Sequence, residues 1–305
     1  MKNIKEYIFN NKIIKGDNLS PVEAATQYDK LENYHKDFES LFGVKDLEKT
    51  AEDNYVIDKY NEYLQAAIAN LGLKFGPVPK DMIKLLNNTD YAKVATDQDS
   101  SGTFDPNLNL IIIKRFEGIS GVRQYHNMMH EMIHGLSFQK LVINQDEERH
   151  SQRIWYDFEK NDSQEFAFGG FNEGVTELLT VEILNEHKVE LLGHLEGFKK
   201  MFPDFREGFF KVKNGAYPAI ASMLIKRLSQ KSQQSEAEIW NKFKTGLLTG
   251  DMMPLRDIEN CFGKDSLKVL AKCGQGGEID SQVNDYFLSD DSAERDRIKK
   301  GLLST

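Results

Sequence analysis

Apolar residues recur at helical spacing along most of this chain, and only a few segments break the rhythm. Val122, Met128, Met129, Met132 and Ile133 form one such series, which predicts a core helix carrying a polar stripe of His126, His130 and His134. Gly118-Ile119-Ser120-Gly121 precedes it as a breaker, with Ser120 in the N-cap position. A second series, Val175, Leu178, Leu179 and Ile183, predicts another helix after a break at Gly169-Gly170. Upstream of the first helix the pattern changes. Tyr91 to Thr96 alternates loosely and reads as a strand, and Asp97 to Gly102 is turn chemistry. Phe104, a tight turn at Asp105-Pro106-Asn107 and the run Leu108 to Ile113 read as a hairpin.

The flanks read as helical. Ser20-Pro21-Val22-Glu23 has the form of a helix start, and that helix is expected to run to Leu41-Phe42 and stop at Gly43. Another spans about Ala51 to Leu71. Gly76-Pro77-Val78-Pro79 is the clearest linker. Tyr217, in Gly215-Ala216-Tyr217-Pro218, opens a helical run through Ala221, Met223, Leu224, Ile225 and Leu228. Ser235 to Glu238 is a capping box that opens a helix through Trp240 and Phe243, and the charged tail from Ser292 to Leu303 reads as a helix. These elements predict an α+β fold, mainly helical, with a small antiparallel sheet beside the histidine helix. They divide the chain into an N-terminal helical region (1–76), a central region (77–200) and a C-terminal helical region (201–305).

The histidine stripe carries the chemistry. His130-Glu131-Met132-Ile133-His134 is an H-E-x-x-H box. On a helix the two histidines lie one turn apart on one face, where both imidazoles can reach a single Zn²⁺. Glu131 stands beside them, out of line, where a general base for a water molecule belongs. His126 forms a competing pair with His130, but asparagine at position 127 cannot accept a proton. All three histidines cannot share one ion, because eight residues of helix rise about 12 Å against a Zn–N distance of about 2 Å. We therefore read His126 as a lining or packed residue.

Catalytic zinc takes a third protein ligand. The pattern that places glycine and histidine three and six residues after the box is absent, since Ser137 and Lys140 occupy those positions. Glu173 and Glu177 lie four residues apart on the second helix, so both carboxylates face one side and repel unless a cation lies there. On that reading Glu173 is the third ligand, and Glu177 accepts the free ring N–H of a zinc histidine. The alternative is an ordinary solvated acidic face.

Asn172-Glu173-Gly174-Val175-Thr176-Glu177 following an H-E-x-x-H box resembles the gluzincin metallopeptidases, the thermolysin-like clan. The resemblance covers two short segments. It departs from the best-known members in having Glu rather than Asp at position 177, and in the long stretch between His134 and Glu173, which implies an insertion. It implies that His130, His134 and Glu173 bind zinc, that Glu131 activates water, that Glu177 supports a ligand and that peptide bonds are hydrolysed. A strand just before the zinc helix is also usual in the family. Its edge, over Leu108–Ile113, is then a candidate to pair with an extended substrate, with a plain core hairpin as the equal alternative. Tyr217, at a helix entrance after a loop, can point into a cleft, and gluzincin-like bacterial sequences carry a Tyr-Pro at a similar place, so Tyr217 is a candidate donor to the oxyanion, with packing as the equal alternative. His150 and Tyr156 in the insertion are further candidates, each with packing as the alternative.

Bulk properties narrow the partners. The 305 residues are 40% hydrophobic and 29% charged, an ordinary globular balance. A formal charge of −9 without a basic run speaks against nucleic acid. No apolar stretch approaches bilayer length, and the N-terminal residues lack the apolar run of a signal peptide. With only two cysteines, Cys261 and Cys273, and no C-x-x-C, a cytoplasmic setting is expected, with leaderless secretion or a removed signal peptide as the alternatives. The expected substrate is a peptide or protein. Two other classes remain open at this point: a zinc- or peptide-binding protein without catalysis, and a helical interaction module in which the box is accidental.

Overall fold

Branched apolar residues at 83–86 and 110–113 build a small sheet around which the first half of the chain is organised. In the computed structural model of the protein, the described residues are 12–15, 29, 33, 35–95, 100–106, 108–115, 121–143, 149–154, 157–159, 166–194 and 216–304. They fall into two compact units that do not follow chain order: residues 1–151 with 180–211, and residues 152–179 with 212–305.

In the first unit, strand β2 (Ile83–Leu86) pairs in parallel with β4 (Leu110–Lys114), which pairs antiparallel with β3 (Gly102–Asp105). The sheet is therefore mixed, not antiparallel as expected. The reason is α2 (Asn88–Val94), a helix where the alternation of Tyr91 to Thr96 suggests a strand. Tyr91 and Val94 are three apart, a spacing that also places them on one helical face. Asn87 caps the helix by accepting the Asp90 N–H at 2.9 Å. The chain thus crosses over between parallel strands. Tyr91 is buried with Leu86, Leu110 and Ile112, in a cluster that also holds Phe38 and Val44. The β3–β4 hairpin is present, but its turn extends to Asn109 at φ 55°, so the strand begins at Leu110 rather than Leu108. β4 has a neighbour on each side and offers no open edge, which corrects the expectation that this strand receives substrate.

Helix α1 (Ala51–Asn70) starts at Thr50, whose hydroxyl accepts the Asp53 N–H while Asp53 accepts the Thr50 N–H. Helix α3 (Gly121–Leu136) packs on β3 and β4. Its Met128, Met129, Met132, Ile133 and Leu136 are buried, each burial contributing about 1.5–3 kcal/mol. Asp53, only 2% exposed, joins α1 to α3: one carboxylate oxygen accepts the Arg115 guanidinium, and the other accepts Gln124 at 3.1 Å and Tyr125 at 3.5 Å. The expected stop at Gly43 is present, with φ 59°, after helical residues 35–42. The helix start at Ser20 and the cap at Ser120 lie outside the described residues. Strands β1 (Lys12–Lys15) and β5 (Gln139–Ile143), which the periodicity did not suggest, pair in parallel.

Helix α4 (Gly169–Glu186) continues into the short α5 (Lys188–His194). Residues 187–190 attach this end to α1: His187 stacks on Tyr63 at 3.6 Å, and Glu190 pairs with Lys59 at 2.9 Å.

The second unit contains the antiparallel run β6 (Arg149–Ile154), β7 (Asp157–Glu159) and β8 (Phe166–Ala167), of which β6 begins in the first unit. Its helices are α6 (Ala216–Ser232), α7 (Glu236–Thr249), α8 (Met253–Phe262), α9 (Ser266–Leu270), α10 (Gly277–Leu288) and α11 (Ser292–Leu303). The Ser235–Glu238 capping box is formed as expected, and the tail is helical. α6 packs on α7, α8 and α10. No helix among the described residues is long and apolar enough to cross a membrane.

Replacing Asp53 by alanine would leave the Arg115 charge without its carboxylate and remove the N-terminal box of α1. The expected loss is about 3–5 kcal/mol, measured by urea denaturation followed through far-UV dichroism. A loss below about 1 kcal/mol would show that water satisfies Arg115 instead.

Candidate metal centre

The polar stripe of α3 is placed by the burial of its apolar side. His130 and His134, one turn apart, bring their Nε2 atoms to 3.0 Å from each other, with the rings at 77°. Two nitrogens on a tetrahedral zinc, each at about 2.0–2.1 Å, stand about 3.3 Å apart. The pair is therefore close to the spacing that a shared ion demands. One carboxylate oxygen of Glu173, on α4, completes a group of three ligand atoms within 4.8 Å of one another. His134 is buried, whereas His130 and Glu173 are half-buried. This donor set, two imidazoles and a carboxylate, suits zinc with a coordination position left open. His126 is buried on α3 and is not part of the group, in keeping with a packed residue.

Glu177 lies one turn beyond Glu173 and is 4% exposed, so the solvated acidic face is excluded. Phe171, Asn172, Val175, Thr176, Leu179 and Thr180 around it are buried as well. α4 is enclosed on several sides rather than amphipathic.

Two glycines explain how other chain segments reach α4. Gly169-Gly170 does not break the chain before the helix; both residues lie in its first turn. A Cβ on Gly170 would stand 2.7 Å from the Gly274 nitrogen and 2.8 Å from the Cys273 carbonyl carbon. The Gly170 N–H donates to the Cys273 carbonyl at 3.3 Å. Gly174, next to Glu173, lies against the backbone of Tyr217, whose carbonyl carbon is 2.7 Å from where a Cβ would be. Glycine costs a helix about 1 kcal/mol relative to alanine, and here that cost is offset by contact that no other residue permits.

Tyr217 stands at the start of α6, as expected, and is half-buried. Burial, then the electrostatic influence of Asp280, Cys273 and Glu173, raises its pKa above the usual phenol value. The hydroxyl stays protonated at neutral pH and can donate a hydrogen bond. Cys273 is buried and its thiol is pushed up to about 12, chiefly by desolvation, so it is no nucleophile near neutrality. His150 falls in β6 with its side chain outside the described residues, and Tyr156 is outside them altogether.

Glu131 is 8% exposed and has a neighbour that sequence reasoning missed. A Cβ on Gly102, the first residue of β3, would stand 3.0 Å from Glu131 Cγ and 3.2 Å from Oε1. The glycine was legible only as part of a turn-forming cluster.

No family model, curated protein or solved structure matches this chain. Function is read from the site's own chemistry.

Gly174→Ala tests the close approach on α4. The added methyl collides with the Tyr217 backbone, and the expected result is a loss of about 1–3 kcal/mol or more, seen as a lower thermal midpoint. An unchanged midpoint would mean that α4 and the start of α6 are not in this register.

Proposed function

We propose that this protein is a zinc-dependent metallopeptidase of gluzincin type. The observation that carries the reading is the convergence of His130 Nε2 and His134 Nε2, 3.0 Å apart, with the Glu173 carboxylate, while Glu131 is held beside His130. A zinc ion, when bound by these three residues, acidifies water and polarises a carbonyl toward attack. Glu131 takes the proton of the attacking water and passes it to the leaving amine. Glu177, buried one turn beyond Glu173, orients one of the zinc histidines through its ring N–H. Tyr217 offers a neutral hydroxyl as donor to the oxyanion. The substrate is a peptide or protein, and the net charge of −9 gives no attraction for nucleic acid.

The test is metal content by mass spectrometry on protein purified without a metal-affinity tag, followed by a peptide-library screen. Wild type is expected to hold one zinc per chain and to cleave peptides. Glu173→Ala is expected to lose zinc on dialysis. Glu131→Gln is expected to keep zinc while kcat falls by about 10²–10⁴. Zinc without cleavage of any peptide would leave a binding protein. Failure to take up zinc would remove the basis of the proposal.

A further inference from the structure

We infer that Asn127, Ser101 and Gly102 form a positioning device for the Glu131 carboxylate. Asn127 lies one turn before Glu131 on α3. Its Nδ2 donates to the Ser101 hydroxyl, and both residues are buried at 4% exposure. The Ser101 carbonyl also accepts the Lys114 N–H at 3.0 Å, so Ser101 is held by α3 on one side and by the end of β4 on the other. The next residue is Gly102, paired with Ile113 across the hairpin. Its bare Cα faces Glu131 and the Ile113 side chain: a Cβ there would be 3.0 Å from Glu131 Cγ and 3.1 Å from Ile113 Cδ1.

The consequence concerns rotamer freedom. A glutamate on a helix surface has three rotatable bonds, and ordering it costs side-chain entropy. Here the backbone of the β3 start walls off one side, and the wall is anchored by a side chain one turn away on the same helix. The carboxylate is held beside the histidine pair before any substrate arrives. Asn127, which rules out a base in the His126/His130 pair, thus acts for the neighbouring pair instead.

The catalytic part of this inference rests on the metallopeptidase reading, whereas the packing part does not. The test is a double-mutant cycle on stability. Gly102→Ala is measured by urea denaturation in wild type and in the Glu131→Ala background. The methyl is expected to lower the midpoint in wild type. With the Glu131 side chain removed, only the contact with Ile113 remains and the shift is clearly smaller. If Gly102→Ala alone does not fold, the double variant is expected to fold. Equal shifts in the two backgrounds, or a double variant that also fails to fold, would overturn the inference. For activity, Gly102→Ala is expected to keep its zinc and its KM while kcat drops by about 10²-fold. Unchanged kcat would also overturn it. Wild type lacking zinc or turnover would instead sink the metallopeptidase reading, and the stability cycle would still report on the wall.

Discussion

The apolar side of α3 is buried on β3 and β4 through Met128, Met129, Met132 and Ile133, and this burial leaves little choice about where the polar residues point. Turning the helix by one residue rotates it by about 100°. That would turn the methionines away from the sheet and push histidines against its apolar side chains, where their ring nitrogens would lose their partners. The spacing of the His130 and His134 nitrogens is thus set by a contact on the far side of the helix. Three methionines there, with flexible side chains, can fill an irregular interface.

α4 lacks the separation of apolar and polar sides seen in α3: from Phe171 to Val181 both kinds of residue alternate without a stripe, and all are buried or half-buried, Glu177 included. Glycines at 170 and 174 admit neighbouring backbone to within van der Waals distance, so orientation comes from close approach rather than from amphipathicity. Two carboxylates, one buried and one half-buried, thus stand one turn apart on a helix whose surroundings are mostly apolar.

The parts of the structure that were legible in the sequence are local. The 3.6-residue period gave α3, the Ser235 capping box gave α7, and i,i+4 spacing alone grouped His130 with His134 and Glu173 with Glu177. Illegible features depend on chain segments far apart. Tyr91 to Val94 satisfies a strand and a helix equally, and only the parallel pairing of β2 with β4 decides for the helix. Gly169-Gly170 looks like a break because the approach of Cys273 and Gly274 is invisible in one dimension. β1 and β5 pair across most of the first unit's sequence, beyond the reach of any pattern. Gly102 against Glu131 and Asp53 beneath α3 are of the same kind.

Asp53 has one more effect. Arg115, at the exit of β4, and Gln124, in the first turns of α3, bind opposite oxygens of this one carboxylate. Both ends of the connection between sheet and histidine helix are thus stapled to a point on α1. The direction in which α3 leaves the sheet is set by that staple. A change that moves Asp53 along α1 would therefore displace the end of β4 and the start of α3 together, and the histidine pair with them.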